Sequence, residues 1–286
     1  MEYRNRLQQF GPGPSEAEIT SYVRKAGELA AANTGVEIYK ACLSCLDVTW
    51  LSETDNEEGI SSNAEGLLEL WAHNPQLPPF AAVCVFPNFV DTVGLAVGDS
   101  NVRIASVAGA FPDAQTFLEV KMLEAAMAVE NGADEIDIVM NPGLILAGKY
   151  EEAANEIETI RREIGEDVTM KVIIESGVLG SHGNIRAASL LAMMAGADFV
   201  KISTGRKAVG ATAESAAAIC CAIRDYAAAT GRKVGFKAAG GVRTPEQATD
   251  MYSVVESVLG REWLNPALFR IGSSTLYRDL LARLGI

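Results

Sequence analysis

Strand-like runs alternate with helical stretches eight times along this chain, and few architectures accept that order. Short apolar runs fall near residues 42–48, 80–86, 102–107, 134–139, 170–175, 198–203, 233–238 and 268–272. Amphipathic segments near 63–74, 88–97, 114–132, 151–164, 184–195, 212–230, 245–259 and 275–284 follow them in turn. The helical period is clear over 114–132, where Phe117, Val120, Leu123 and Met127 recur at three- and four-residue spacing. Thr212-Ala-Glu-Ser215 and Thr244-Pro-Glu-Gln247 have the form of helix starts, the second with proline at the first helical position. Eight strands, each followed by a helix, predict a (β/α)8 TIM barrel, with a doubly wound sheet as the alternative. Its 286 residues suit one such domain. Residues 1–40 precede the first strand, and Ser15-Glu-Ala-Glu18 followed by Ile19, Val23 and Leu29 predicts a helical N-terminal extension there. The barrel domain is accordingly assigned to 41–286.

Charge and composition narrow the partners. A net charge of −13 works against nucleic acid and against anionic membrane, both of which require a basic footprint. No apolar run approaches a membrane span, and Met1-Glu-Tyr-Arg-Asn-Arg6 lacks the apolar core of a signal peptide, so a cytoplasmic location is expected. Cys42 and Cys45 form a CxxC with no second CxxC after it, on what reads as an apolar strand, and are taken as plain core thiols. Cys220 and Cys221, in an alanine-rich helix, are read the same way. The two histidines, His73 and His182, lie near helix ends and are expected to be solvated. Two histidines exclude a three-histidine zinc site, their setting argues against a histidine-based triad, and no metal or other cofactor is expected.

Lysine is least expected in the middle of an apolar strand, yet Lys201 lies in Phe199-Val-Lys-Ile-Ser-Thr-Gly205 and Lys237 in Val234-Gly-Phe-Lys-Ala-Ala-Gly-Gly241. A buried amine must either lose its proton or find a partner, and a second cation beside it makes it nucleophilic near neutral pH. Barrel strands alternate inward and outward. That parity aims Phe199, Lys201 and Ser203 inward together, likewise Lys237 with Gly235 and Ala239, Asp137 with Glu135 and Val139, and Asp47 with Cys45 and Thr49. Each charge falls toward the C-terminal end of its strand, where barrel active sites lie. Any one of them could be structural, and Lys171 or Glu175 could simply plug the barrel. Two lysines and two aspartates together favour a site. Glycine-rich turns close the last three strands, at Gly205, at Gly240 and Gly241, and at Gly272 followed by Ser273 and Ser274. Turns after the late strands of a barrel commonly hold phosphate through backbone N–H groups. Arg243 reads equally as a phosphate ligand or as a solvated side chain. A reactive lysine beside a phosphate cradle points to Schiff-base chemistry on a sugar phosphate.

These motifs, with Asp134-Glu-Ile-Asp-Ile-Val139, Leu46-Asp-Val-Thr49, Ala82-Val-Cys-Val-Phe-Pro87, Lys171-Val-Ile-Ile-Glu-Ser-Gly177 and Phe269-Arg-Ile-Gly-Ser-Ser274, resemble the class I 2-deoxyribose-5-phosphate aldolase family in order and spacing over about residues 41–284. The resemblance implies reversible cleavage of 2-deoxy-D-ribose 5-phosphate to acetaldehyde and D-glyceraldehyde 3-phosphate. It casts Lys201 as the imine-forming nucleophile, Lys237 as the cation that lowers its pKa, and Asp137 as an acid/base working through water. Asp47 and Thr49 match positions near the reacting hydroxyl, and Cys84 a thiol lining the pocket. Gly205, Gly240, Gly241, Gly272, Ser273 and Ser274 match phosphate turns. A homodimer is implied on the same ground. Ile202, Arg206 and Ala238 stand where the family usually has threonine, lysine and proline. The sequence ends at Ile286 without the tyrosine-bearing tail of some members, so no tail-dependent proton transfer is expected. Two other readings keep the barrel: a metal-independent sugar-phosphate isomerase or synthase, which needs a carboxylate base and no imine, and a non-catalytic sugar-phosphate-binding barrel, which has no use for Lys201 and Asp137.

Overall fold

The structure, a computed structural model, describes residues 2–98 and 100–286. Eight parallel strands close into a barrel in sequence order: β1 (Leu46–Thr49), β2 (Ala82–Val85), β3 (Arg103–Ala108), β4 (Glu135–Val139), β5 (Thr169–Ile173), β6 (Phe199–Lys201), β7 (Gly235–Ala239) and β8 (Phe269–Ser273). Pairing of β1 with β8 closes the ring and excludes the open doubly wound sheet. The outward residues of the strands, among them Val48, Ile136, Val172, Val200, Phe236 and Ile271, are fully buried in the apolar layer beneath the surrounding helices. The inward positions divide by chemistry. Ala82, Cys84, Ala105 and Val107, on β2 and β3, line an apolar half with Leu51, whereas the inward charges come from β1 and β4–β8.

Caps set the helix starts. Thr212 accepts a hydrogen bond from the Ser215 N–H at the head of the helix Ala213–Thr230, and Thr244 forms a reciprocal capping box with Gln247 ahead of Pro245–Leu259. The N-terminal segment is helical over Glu2–Gln8 and Glu16–Ala32, the latter opened by a capping box between Ser15 and Glu18. Glu16–Ala32 lies against Pro245–Leu259 and Ala213–Thr230, with Ile19 and Ala26 buried in the main core. Asn33 donates to Ser253 and Glu256, and Arg224 to Tyr22, so the segment is tied to the barrel by polar contacts as well.

Two expectations are corrected. Residues 42–45 are not strand: Val36–Ser44 is a helix that crosses the 40/41 boundary, Cys45 caps it, and β1 begins at Leu46. An apolar run of this length satisfies either period, and here the apolar face of a short helix wins. The helix expected over 114–132 forms as Leu118–Glu130, but its apolar stripe faces outward, with Phe117 79%, Leu123 60%, Met127 51% and Val120 49% exposed. Small residues, Ala125 and Ala128, pack inward instead, alongside Lys121, whose ammonium is buried and donates to Glu156 at 2.8 Å. Cys42, Cys45, Cys84, Cys220 and Cys221 are all buried free thiols, and burial pushes Cys45 up to about 12.

Candidate active site

The barrel register places Lys201 on β6 directly beside Lys237 on β7, and Asp137 on β4 beside Lys171 on β5. All four side chains point into the barrel and meet. Asp137 is their hub: its Oδ1 accepts from Lys171 Nζ at 2.7 Å, and its Oδ2 from Lys201 Nζ at 2.7 Å and Lys237 Nζ at 2.8 Å. Lys237 Nζ also lies 2.5 Å from Asp47 Oδ2, a charge contact rather than an aligned hydrogen bond. A lower tier completes the cluster. Lys171 reaches Glu135 at 2.6 Å, and the Arg270 guanidinium spans Asp47 Oδ1 at 2.6 Å and Glu135 Oε1 at 2.8 Å.

Burial and charge act on these groups in opposition. Burial alone would push Asp137 up, but Lys171, Lys201 and Lys237 hold its carboxyl well below the usual range. Asp47 is likewise lowered, because Arg270, Lys237 and Lys171 outweigh its burial. Lys237 is raised against its burial by Asp137 and Asp47, and Lys171 by Asp137 and Glu135. Lys201 alone of the three goes down: burial and the Lys237 charge outweigh its single carboxylate, Asp137.

Above the lysines, at the C-terminal mouth, opens a cavity of about 410 Å³. Lys201, Thr49, Gly205, Gly240, Gly241, Gly272, Ser273 and Ser274 all line it, as do Arg206 and Arg243. Asp47, Asp137, Lys237 and Cys84 lie beneath its floor, fully or almost fully buried. Thr49 is turned partly back, its hydroxyl donating to the Asp47 carbonyl at 3.0 Å. The turns are shaped by close approach. Gly240 has φ +86, and a Cβ there would collide with Ser203 Oγ, the hydroxyl that donates to the Ala239 carbonyl. A Cβ on Gly272 would press on Lys237 Cε at 3.3 Å. Gly241, at φ +94, has nothing within 4 Å, so its missing side chain is space left to the cavity.

Trp50, Leu51, Ser52 and Asp55 line the same cavity and were not singled out in the sequence; their signal was only that they follow β1 at the active end. The role of Arg270 was not legible in the motif that contains it, although an arginine two positions before an inward glycine shares its parity. Glu175, weighed as a barrel plug, instead accepts from the Thr204 N–H and hydroxyl at 3.2 and 2.5 Å and so holds the turn after β6.

A closed parallel barrel with a buried lysine opening into a pocket at its C-terminal mouth is the architecture of a TIM-barrel enzyme. Residues 56–261 match the DeoC/LacD family aldolases. The human deoxyribose-phosphate aldolase is 40% identical over 273 residues, covering 90% of this chain and 86% of the human one. Among solved structures, the aldolase QR15 is 28% identical with a TM-score of 0.69, over 85% of this chain and 97% of that one. A tetrameric deoxyribose phosphate aldolase from Aeropyrum pernix, 22% identical, shares the fold with a TM-score of 0.70 over 94% and 98% of the two chains. The chain belongs to the DeoC/LacD aldolase family and is an aldolase.

Proposed function

We propose that this aldolase reversibly cleaves 2-deoxy-D-ribose 5-phosphate to acetaldehyde and D-glyceraldehyde 3-phosphate through an imine on Lys201. The observation that carries the assignment is that Lys201 is the one cluster lysine lining the open cavity, while its pKa is lowered by burial and by Lys237. Its amine attacks the C1 aldehyde of the open-chain sugar and water leaves, giving an iminium that accepts electrons from the C2–C3 bond. The C3 hydroxyl loses its proton as that bond breaks, releasing glyceraldehyde 3-phosphate. The enamine takes a proton at C2, and hydrolysis frees acetaldehyde and the amine.

Asp137, kept ionised by the lysines, is the group assigned to pass these protons through a bound water. Asp47 and Thr49 lie nearest the reacting hydroxyl, and Cys84 lines the buried wall. Gly205, Gly240, Gly241, Gly272, Ser273 and Ser274 receive the phosphate, with Arg206 and Arg243 supplying charge. Residues 1–40 act as an extension of a barrel domain formed by 41–286.

A coupled assay for glyceraldehyde 3-phosphate tests the substrate. Release from deoxyribose 5-phosphate is expected, and none from the sugar in the presence of intact imine chemistry would reject it. No described helix is long and apolar enough to cross a membrane. A cytoplasmic setting is supported by five unpaired thiols. A homodimer is supported by the uncovered apolar stripe around Leu123. Sedimentation of the native chain should give twice the monomer mass; a single-chain mass would refute it.

A further inference from the structure

Four side chains that can carry positive charge and three carboxylates share the buried interior of the barrel: Lys171, Lys201, Lys237 and Arg270 against Asp47, Glu135 and Asp137. With every group ionised the cluster carries one positive charge too many, and in an interior of low dielectric that excess is costly. The arrangement decides which cation gives way. Arg270 cannot, because a guanidinium stays protonated. Lys171 and Lys237 each touch two carboxylates, at 2.6 and 2.7 Å and at 2.5 and 2.8 Å. Lys201 has only Asp137 Oδ2, which it shares with Lys237.

We propose that Arg270 and Glu135, one tier below the lysines, are positioning residues that set the net charge of the cluster and thereby keep Lys201 in its nucleophilic amine form. The inference rests on Lys201 being the imine-forming lysine. Neither residue lines the substrate cavity; both line a separate cavity of about 540 Å³ at the N-terminal mouth of the barrel. Arg270 is held there on several sides. Its Nε donates to the Pro266 carbonyl at 2.5 Å, and its guanidinium lies 5.6 Å from the centre of the Phe199 ring. That ring occupies the space a side chain on Gly235 would fill. The planar fork then bridges β1 and β4 across the interior, which a lysine's single ammonium would do less well.

The other titratable groups near Lys201 do not alter the count. Cys84 on β2 is pushed up by burial and stays a neutral thiol. β3 contributes Ala105 and Val107 inward. Glu175, past the end of β5, meets Thr204 and forms no ion pair with a cluster lysine. Asp55, Arg206 and Arg243 lie on the solvent-open cavity wall, also unpaired with the cluster, so these charges stand outside the count. Removing Arg270 leaves three cations against three carboxylates, so Lys201 has no excess charge to shed. Removing the Glu135 charge does the reverse.

The test is the rate of borohydride-trapped imine formation with acetaldehyde, followed against pH. For Arg270→Met the rising limb should move to higher pH by about one unit, a loss of about tenfold in rate below the limb. For Glu135→Gln it should move to lower pH, and Arg270→Lys, which keeps the charge, should stay close to the native position. A merely structural role would weaken both variants without moving their limbs in opposite directions. Shifts of the same sign, or none, overturn the proposal. Should Arg270→Met fail to fold, Glu135→Gln decides alone, and a limb that stays or rises overturns it. A native protein that traps no acetaldehyde would sink the imine reading itself, whereas native trapping with unshifted variants sinks only this inference.

Discussion

Asp137 holds the amino groups of three lysines on two oxygens, at 2.7–2.8 Å, with no exposure to solvent. Its replacement by Asn should therefore damage stability and chemistry separately. Leaving buried cations facing a neutral amide costs about 3–5 kcal/mol, so Tm should fall by on the order of 10 °C. Borohydride trapping of acetaldehyde should persist, slowed, because capture needs only the Lys201 amine. Exchange of the methyl hydrogens with deuterated water and overall cleavage should fall together by ~10²-fold or more. Should exchange survive while cleavage is lost, Asp137 serves the substrate hydroxyl alone and another group protonates the enamine. The parity of short strands made the inward direction of Asp47, Asp137, Lys201 and Lys237 readable from sequence. What could not be read was who pairs with whom. Lys171 looked like a plug and Arg270 went without a role, because contacts across a barrel interior depend on closure and tilt, not on local spacing.

Elements were more legible than their faces. The helix around Leu123 was recognisable by its period, yet that period cannot say which side meets the barrel. Here the inner side takes alanines and the Lys121–Glu156 pair, and the larger apolar residues are left outside. Near Cys42 the apolar run was too short to separate strand from helix. The glycine turns were easier, since each ends a strand at the active end. Gly241 gives the sharpest test of them: its φ of +94 strains any other residue, and a side chain would enter the cavity. Gly241→Val should raise KM for the phosphorylated sugar at least tenfold more than for free deoxyribose. Equal effects on both substrates would make the turn merely structural.

At the scale of the molecule, a chain of net charge −13 encloses a cation-rich interior beneath a mouth carrying Arg206 and Arg243. Stability should follow pH accordingly. Asp47 and Asp137 are lowered in the folded state, so their contribution is complete above the unfolded value of about 4 and is lost as pH falls below it. Lys201 has the opposite consequence. Its folded pKa is depressed, the unfolded chain binds its proton more tightly, and stability should rise with pH from the folded value toward about 10.4. Five buried thiols, raised by burial, pull the other way above about 8.5. The Lys201 contribution is therefore read as the difference between native and Lys201→Leu denaturant titrations from pH 3 to 10, the variant having the less positive alkaline slope. An alkaline slope untouched by that change would mean that Lys201 is protonated like an ordinary lysine.

The account turns on one lysine, and one measurement reaches it most directly. The native protein is incubated with acetaldehyde, reduced with borohydride, digested and weighed by mass spectrometry. The expected product is a single added ethyl group on the peptide containing Lys201, absent without acetaldehyde and blocked by deoxyribose 5-phosphate analogues. Labelling confined to Lys237, or no labelling under conditions in which the protein cleaves its substrate, would contradict the assignment.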